Sequence, residues 1–128
     1  MKYMRIGRRR PTLTQSGVVC SFRQGEKIFS AGEVGSCFYI VLSGEVELQM
    51  EMRDGSLVHV ETVKKSGHFG EGAMFSDAPR VLFAVAAVDV MALRISKEKF
   101  LEFIENQPEV TFSLMRSMYE KQERTHKL

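Results

Sequence analysis

Glu71 and Arg80 are the two charged residues whose surroundings could do chemistry. They lie in the stretch Gly67-His68-Phe69-Gly70-Glu71-Gly72-Ala73-Met74-Phe75, which continues through Asp77-Ala78-Pro79-Arg80 into Val81–Val88. The clustered glycines permit backbone angles closed to other residues and let a ligand come close to the main chain. A short helical turn starting near Glu71 would turn its unpaired N–H groups toward the preceding loop, and such a helix start favours an anion. Arg80 follows a proline that stiffens the return of the chain, and its guanidinium can hold a phosphate through two parallel hydrogen bonds. The Glu71 carboxylate would repel phosphate but accepts hydrogen bonds, so it suits the hydroxyls of an adjoining sugar. Together these groups predict a site for a phosphorylated sugar.

Other chemistries find less support. His59, His68 and Glu71 are the nearest approach to a metal-ligand set, as a cupin-like metal enzyme would need. That pattern places two histidines close together on one strand, with another histidine later. Here His59 and His68 are well separated, and the next histidine is His126. The expectation is solvated or locally bonded histidines and no metal. No serine has the Gly-x-Ser-x-Gly context of a nucleophile, and neither cysteine has a histidine close in sequence, so no catalytic residue is assigned and the chain is not read as an enzyme.

Phe69-Gly70-Glu71-x-Ala73-Met74, followed by Pro79-Arg80, resembles the phosphate-binding cassette of cyclic nucleotide-binding domains, and the resemblance covers roughly residues 18–106. It implies that Glu71 binds the ribose 2′-hydroxyl and Arg80 the cyclic phosphate. Backbone donors map near Gly72 and Ala73, and Phe69, Gly70, Val81 and Leu82 complete the expected ligand contacts. The family usually has small residues after the arginine. This chain has Val81, Leu82 and Phe83, which sets the bulk of Leu82 beside the phosphate position. A hydroxyl-bearing residue directly after the arginine helps select cyclic GMP in the family, and Val81 cannot supply one, so cyclic AMP is the favoured ligand. The alternative is a structural or dimerisation module with an eroded pocket.

The elements that must hold these residues in place are mostly strands. Val18–Phe22, Lys27–Phe29 and the compact apolar run Phe38–Leu42 are each bounded by turn residues. Val46, Leu48, Met50 and Met52 alternate with Glu45, Glu47, Gln49, Glu51 and Arg53, a period of two that predicts a strand with one face in the core. Asp54-Gly55 predicts a hairpin turn with both central residues at positive φ, and Leu57–Val63 returns as its partner. Phe83–Val88 and Val90–Ile95 read as closing strands with a bend at Asp89. The regular spacing of glycine-marked turns predicts a mainly β fold, an antiparallel β-barrel or jelly roll of about eight strands over residues 18–95. It carries a short cassette helix and two C-terminal α-helices over 97–124.

In the first of those helices Ser96 is the expected cap, and Phe100, Leu101, Phe103 and Ile104 form the apolar face. The second starts at Pro108. Its stripe of Val110, Leu114, Met115 and Met118, with Tyr119 alongside, has two readings. Met115, Met118 or Tyr119 could cap a bound purine. The stripe could instead be core or the seam of a homodimer, as in bacterial members of the family.

The length of 128 residues suits one domain. With 44% hydrophobic and 27% charged residues, the composition is that of an ordinary globular domain. The net charge of +2 is concentrated in Lys2, Arg5, Arg8, Arg9 and Arg10, so residues 1–17 read as a basic, partly disordered segment and the remainder is net acidic. That balance, and the lack of a helix-turn-helix pattern, predict no specific nucleic-acid binding by this chain alone. No apolar run reaches the ~18 residues of a membrane span, and the basic start lacks an apolar h-region. With Cys20 and Cys37 expected as free thiols, these features predict a cytoplasmic protein without a membrane partner.

Overall fold

The structure, a computed structural model, describes residues 17–106, 115–117 and 119–120. The basic segment before Gly17, the start of the second C-terminal helix at Pro108 and Met118 therefore lie outside the described residues. Residues 115–117 and 119–120 are helical.

Within residues 17–106, eight strands and two helices follow one another as β1 (Val18–Phe22), β2 (Lys27–Phe29), β3 (Cys37–Ser43), β4 (Val46–Glu51), β5 (Leu57–Val63), β6 (His68–Phe69), α1 (Glu71–Ser76), β7 (Phe83–Ala86), β8 (Val90–Ser96) and α2 (Lys97–Asn106). The strands form two four-stranded antiparallel sheets, in the orders β1-β8-β3-β6 and β2-β7-β4-β5. The jelly-roll expectation holds, but the sheets are not closed into a barrel. Closure needs a continuous ladder of strand pairs. Here β1 and β6 end one sheet, and β2 and β5 the other.

Strand alternation divides the apolar residues between two cores. Tyr39 and Val41 of β3 and Val90 and Ala92 of β8 join Phe29, Val46, Leu48 and Phe69 between the sheets. Phe38 of β3 and Leu93 and Ile95 of β8 point the other way, onto Met74 of α1 and Phe100 of α2. Residues of opposite parity on one strand face opposite sides, so β3 and β8 each supply both cores. In the inter-sheet core Tyr39 stacks on Phe69 at a centroid distance of 5.1 Å. In the helix-side core Phe100 takes edge contacts from Phe38 at 5.4 Å and Phe75 at 5.8 Å.

Three local expectations are corrected. Met52 lies beyond β4 and is 47% exposed, and Met50 is only half-buried. The β4–β5 register shifts between Leu48 and Gln49, and the hairpin tip runs past the end of the core. At that tip only Gly55 has positive φ. Asp54 instead accepts the hydroxyl and backbone N–H of Ser56, which lower its carboxyl pKa. On α2, Leu101 is exposed while Phe100 and Phe103 are buried. The Ser96 cap is present, its hydroxyl accepting the Lys99 N–H at 3.2 Å.

Burial pushes the Tyr39 phenol up to about 12, with the Cys37 thiol adding to the shift and Arg80 and Arg94 pulling against it. The folded pKa exceeds the ordinary value of 10.0. The linked stability is therefore complete below pH 10 and is lost as pH rises toward 12. An alkaline unfolding series should show that loss in the parent, and Tyr39→Phe should flatten it across the same window.

Candidate functional site

Gly70 sets the entry into α1. It has φ 88 and ψ 6, and no side chain caps the helix start. A Cβ at Gly70 would lie 3.0 Å from Arg80 Nη1 and 3.2 Å from the Phe29 ring, so both conformation and space require glycine. The helix ends on Asp77 in the left-handed region. Ser76 closes the turn, its hydroxyl donating to Gly72 O at 2.9 Å and accepting the Ala78 N–H at 3.3 Å. The chain then runs to Arg80, whose backbone is clamped to the β2–β3 loop. Arg80 N donates to Glu33 O at 2.8 Å, and Gly32 N donates to Arg80 O at 2.7 Å.

The Arg80 side chain turns inward and is only 7% exposed. Nη1 donates to Gly70 O and Nη2 to Cys37 O, each at 3.0 Å, with Cys37 Sγ 3.7 Å from Nη2. The guanidinium lies over the Phe29 ring, 3.9 Å from its centroid, a favourable cation–π placement. A Cβ at Gly35 would come within 2.5 Å of Nη2, so the loop can close over the guanidinium only with glycine there. Among the described residues no carboxylate pairs with Arg80. The guanidinium is thus buried among carbonyl dipoles and a ring beneath the start of α1.

Glu71 is also buried, at 3% exposure. His68 Nδ1 lies 3.3 Å from its Oε1, and His68 Nε2 is hydrogen-bonded to Ser117 Oγ at 3.1 Å. Beside this histidine is a cavity of about 290 Å³, lined in part by Glu61, Val63, Lys64, Ser66, His68 and Ser117. His59 instead pairs with Glu47 on the neighbouring strand, Nδ1 to Oε2 at 3.2 Å. Among the described residues no three His, Cys, Asp or Glu are grouped to hold a metal ion, and both cysteines are free thiols.

The residues expected at the site are thus placed unequally. Gly70, Glu71, Gly72 and Ala73 come together with Arg80 around the start of α1. The Phe69 side chain is committed to the core, fully buried against Tyr39. Val81 is 69% exposed, and Leu82 packs against the inter-sheet core. Met115 and Tyr119, the described members of the suggested base cap, are exposed. Phe29, Gly35 and Cys37, which seat Arg80, were not anticipated. They come from two strands, β2 and β3, and the loop between them, and no pattern local to Arg80 marks them. Ser117 carries no signal in the sequence, whereas His68, expected to be solvated or locally bonded, is bonded through Nε2 to Ser117.

The cyclic nucleotide-binding domain profile matches residues 19–107, which include all eight strands except Val18, together with the whole cassette. The chain belongs to the cyclic nucleotide-binding domain family. It is 28% identical over 114 residues to a CRP-like cAMP-activated global transcriptional regulator of Mycobacterium tuberculosis, covering 89% of this chain and 51% of that protein. It is 34% identical over 85 residues to a cGMP-dependent protein kinase of Plasmodium berghei, covering 66% of this chain and 9% of the kinase. The fold is similar to that of the Thermus thermophilus Catabolite Activator Protein, with a TM-score of 0.82, 24% identity, and coverage of 89% of this chain and 54% of that one. This cyclic nucleotide-binding domain therefore spans about half the length of the regulator it matches. No helix of the described residues is long and apolar enough to cross a membrane.

Proposed function

We propose that this chain binds a cyclic nucleotide, cyclic AMP in preference to cyclic GMP, as a non-catalytic regulatory domain. The observation that carries the reading is the buried Arg80 guanidinium. It lies beneath Gly70 at an uncapped helix start and has no carboxylate partner among the described residues. A guanidinium has five N–H donors, more than Gly70 O, Cys37 O and Cys37 Sγ engage. A cyclic phosphate would sit at Gly70–Ala73, drawn by Arg80 and the backbone N–H groups of Gly72 and Ala73, with Val81 and Leu82 alongside. Glu71 would take the ribose 2′-hydroxyl. Family membership supports this arrangement, and the mycobacterial relative's description as cAMP-activated supports the choice of base.

The output is a population shift, in which ligand favours one placement of the C-terminal helices. The domain comprises residues 18–128, preceded by the basic segment 1–17, acts in the cytoplasm, and makes no sequence-specific nucleic-acid contact by itself. Exposed Met115 and Tyr119 fit either a base cap or a homodimer seam formed with a second copy. The rival reading, a dimerisation module with an eroded pocket, draws on the fact that Arg80 already has internal partners.

Titration calorimetry with cyclic AMP and cyclic GMP decides between the readings, with ultracentrifugation recording the association state. Saturable heat with tighter cyclic AMP binding is expected. A dimer that gives no heat with either nucleotide would establish the rival. Leu82→Ala should lower the melting temperature, because the partly buried side chain packs on the core and its removal costs less than the ~2–5 kcal/mol of a fully buried leucine. In the still-folded variant, tighter binding is expected if the Leu82 side chain crowds the phosphate. An unchanged Kd would assign it to the core alone.

A further inference from the structure

We propose that His68 is the positioning residue through which occupancy of Glu71 is felt by the C-terminal helix. This goes beyond the cyclic nucleotide reading but rests on it, since it takes Glu71 as the ribose contact. His68 sits on β6, directly before the cassette, and its main-chain position is fixed by pairing with Ile40 of β3. Its ring spans two elements that strands do not connect. Nδ1 is 3.3 Å from Glu71 Oε1 on α1, and Nε2 is 3.1 Å from Ser117 Oγ on the C-terminal helix. The carboxylate beside Nδ1 favours the proton there through its charge, in an ion-pair approach at 3.3 Å rather than a hydrogen bond. In the neutral ring Nε2 is then the acceptor, and the Ser117 hydroxyl donates. The two ring nitrogens are thereby linked: the group at one sets what the other can do.

The His68 side chain is 15% exposed and the Glu71 side chain 4%, whereas Ser117 is on the surface. The contact with the helix is therefore the more solvent-exposed end of the series, and the carboxylate is the buried end that a ligand would reach. A ribose hydroxyl bound to Glu71 fixes the rotamer of the carboxylate. That fixes the imidazole facing it, so holding Ser117 then requires less ordering. Coupling of this kind operates by rigidification and needs no large displacement. It is reciprocal: a helix held by Ser117 makes Glu71 a better-ordered site for the sugar.

The test is hydrogen exchange with and without saturating cyclic AMP, alongside calorimetry, on the parent, His68→Leu, His68→Gln and Ser117→Ala. In the parent, exchange in residues 115–120 should slow by at least about fivefold on binding, the lower end of ordinary coupling. His68→Leu and Ser117→Ala should reduce that effect to less than about twofold, while protection of residues 70–81 still rises, and should weaken binding by about the same lost factor. His68→Gln, which keeps a donor and an acceptor at the end of a side chain, should retain part of the effect that leucine loses. Ser117→Ala alters an exposed helical residue and remains decisive if a His68 variant fails to fold. Slowing in residues 115–120 that matches the parent in a folded Ser117→Ala overturns the proposal, as does a parent that binds without any change there. A parent giving no heat with cyclic AMP overturns the nucleotide reading as well.

Discussion

Arg80→Ala is expected to weaken cyclic AMP binding by at least about thirtyfold, since removing one partner of a buried charge pair costs ~2–5 kcal/mol. Sequence alone suggests little effect on folding. The geometry suggests otherwise. The guanidinium satisfies Gly70 O and Cys37 O and covers the Phe29 ring. Truncation leaves two carbonyls to find new donors, and a buried polar group left unpaired costs ~1–3 kcal/mol. Part of that loss is offset by removing a desolvated charge that has no carboxylate partner among the described residues. Melting of the unliganded variant should therefore show a drop of only a few degrees, while calorimetry shows the large loss of affinity. Arg80→Lys separates the two roles. It keeps the charge, but its ammonium lacks the planar fork that reaches both carbonyls. It should recover some affinity and little of the stability. Parent-like affinity in a folded Arg80→Ala would remove Arg80 from the site.

The second large effect is expected at Glu71. Glu71→Gln preserves volume and removes the charge. A hydrogen bond to a charged group contributes ~1.5–3 kcal/mol, so the variant should bind cyclic AMP roughly ten- to a hundredfold more weakly. The comparison ligand is 2′-deoxy cyclic AMP, which lacks the hydroxyl assigned to this carboxylate. The parent should discriminate against it, and Glu71→Gln should discriminate much less. If the variant loses affinity equally for both ligands, the carboxylate supports the loop and does not read the sugar. Because Glu71 faces His68 at 3.3 Å, the variant should also reduce the ligand effect on residues 115–120, in parallel with His68→Leu.

Features set by near neighbours in the chain were largely legible. The cassette, the Val46–Val63 hairpin and the Ser96 cap depend on alternation, turn residues or a hydroxyl a few positions from the N–H it accepts. The same local reasoning overextended the β4 face to Met52, because alternation says which side a residue faces but not where the opposite sheet ends. It also placed Leu101 in the apolar face of α2, since adjacent apolar residues on a helix cannot all face one core. Whether the sheets close depends on pairing between strands far apart in sequence, and no local pattern carries it. The Arg80 seat was hidden for the same reason. The arginine was legible as an anion-binding residue, but its partners Gly35 and Cys37 lie more than forty residues before it and meet it only once β2, β3 and β7 are assembled. Tyr39 and Phe69 are adjacent across β3 and β6, a pairing that neither strand's composition specifies.

The division of β3 between two cores has a consequence for how such a chain can diversify. Tyr39 and Val41 serve one core and Phe38 the other, and β8 is divided in the same way. Exchanging residues within either set changes one core at a time. Inserting or deleting a single residue in β3 would reverse the later side chains of that strand and exchange what it supplies to both cores at once. The β4–β5 tip around Asp54-Gly55 is exposed and supplies no core residue. Length variation, or a genetically inserted reporter, should be tolerated at that tip and rejected in β3.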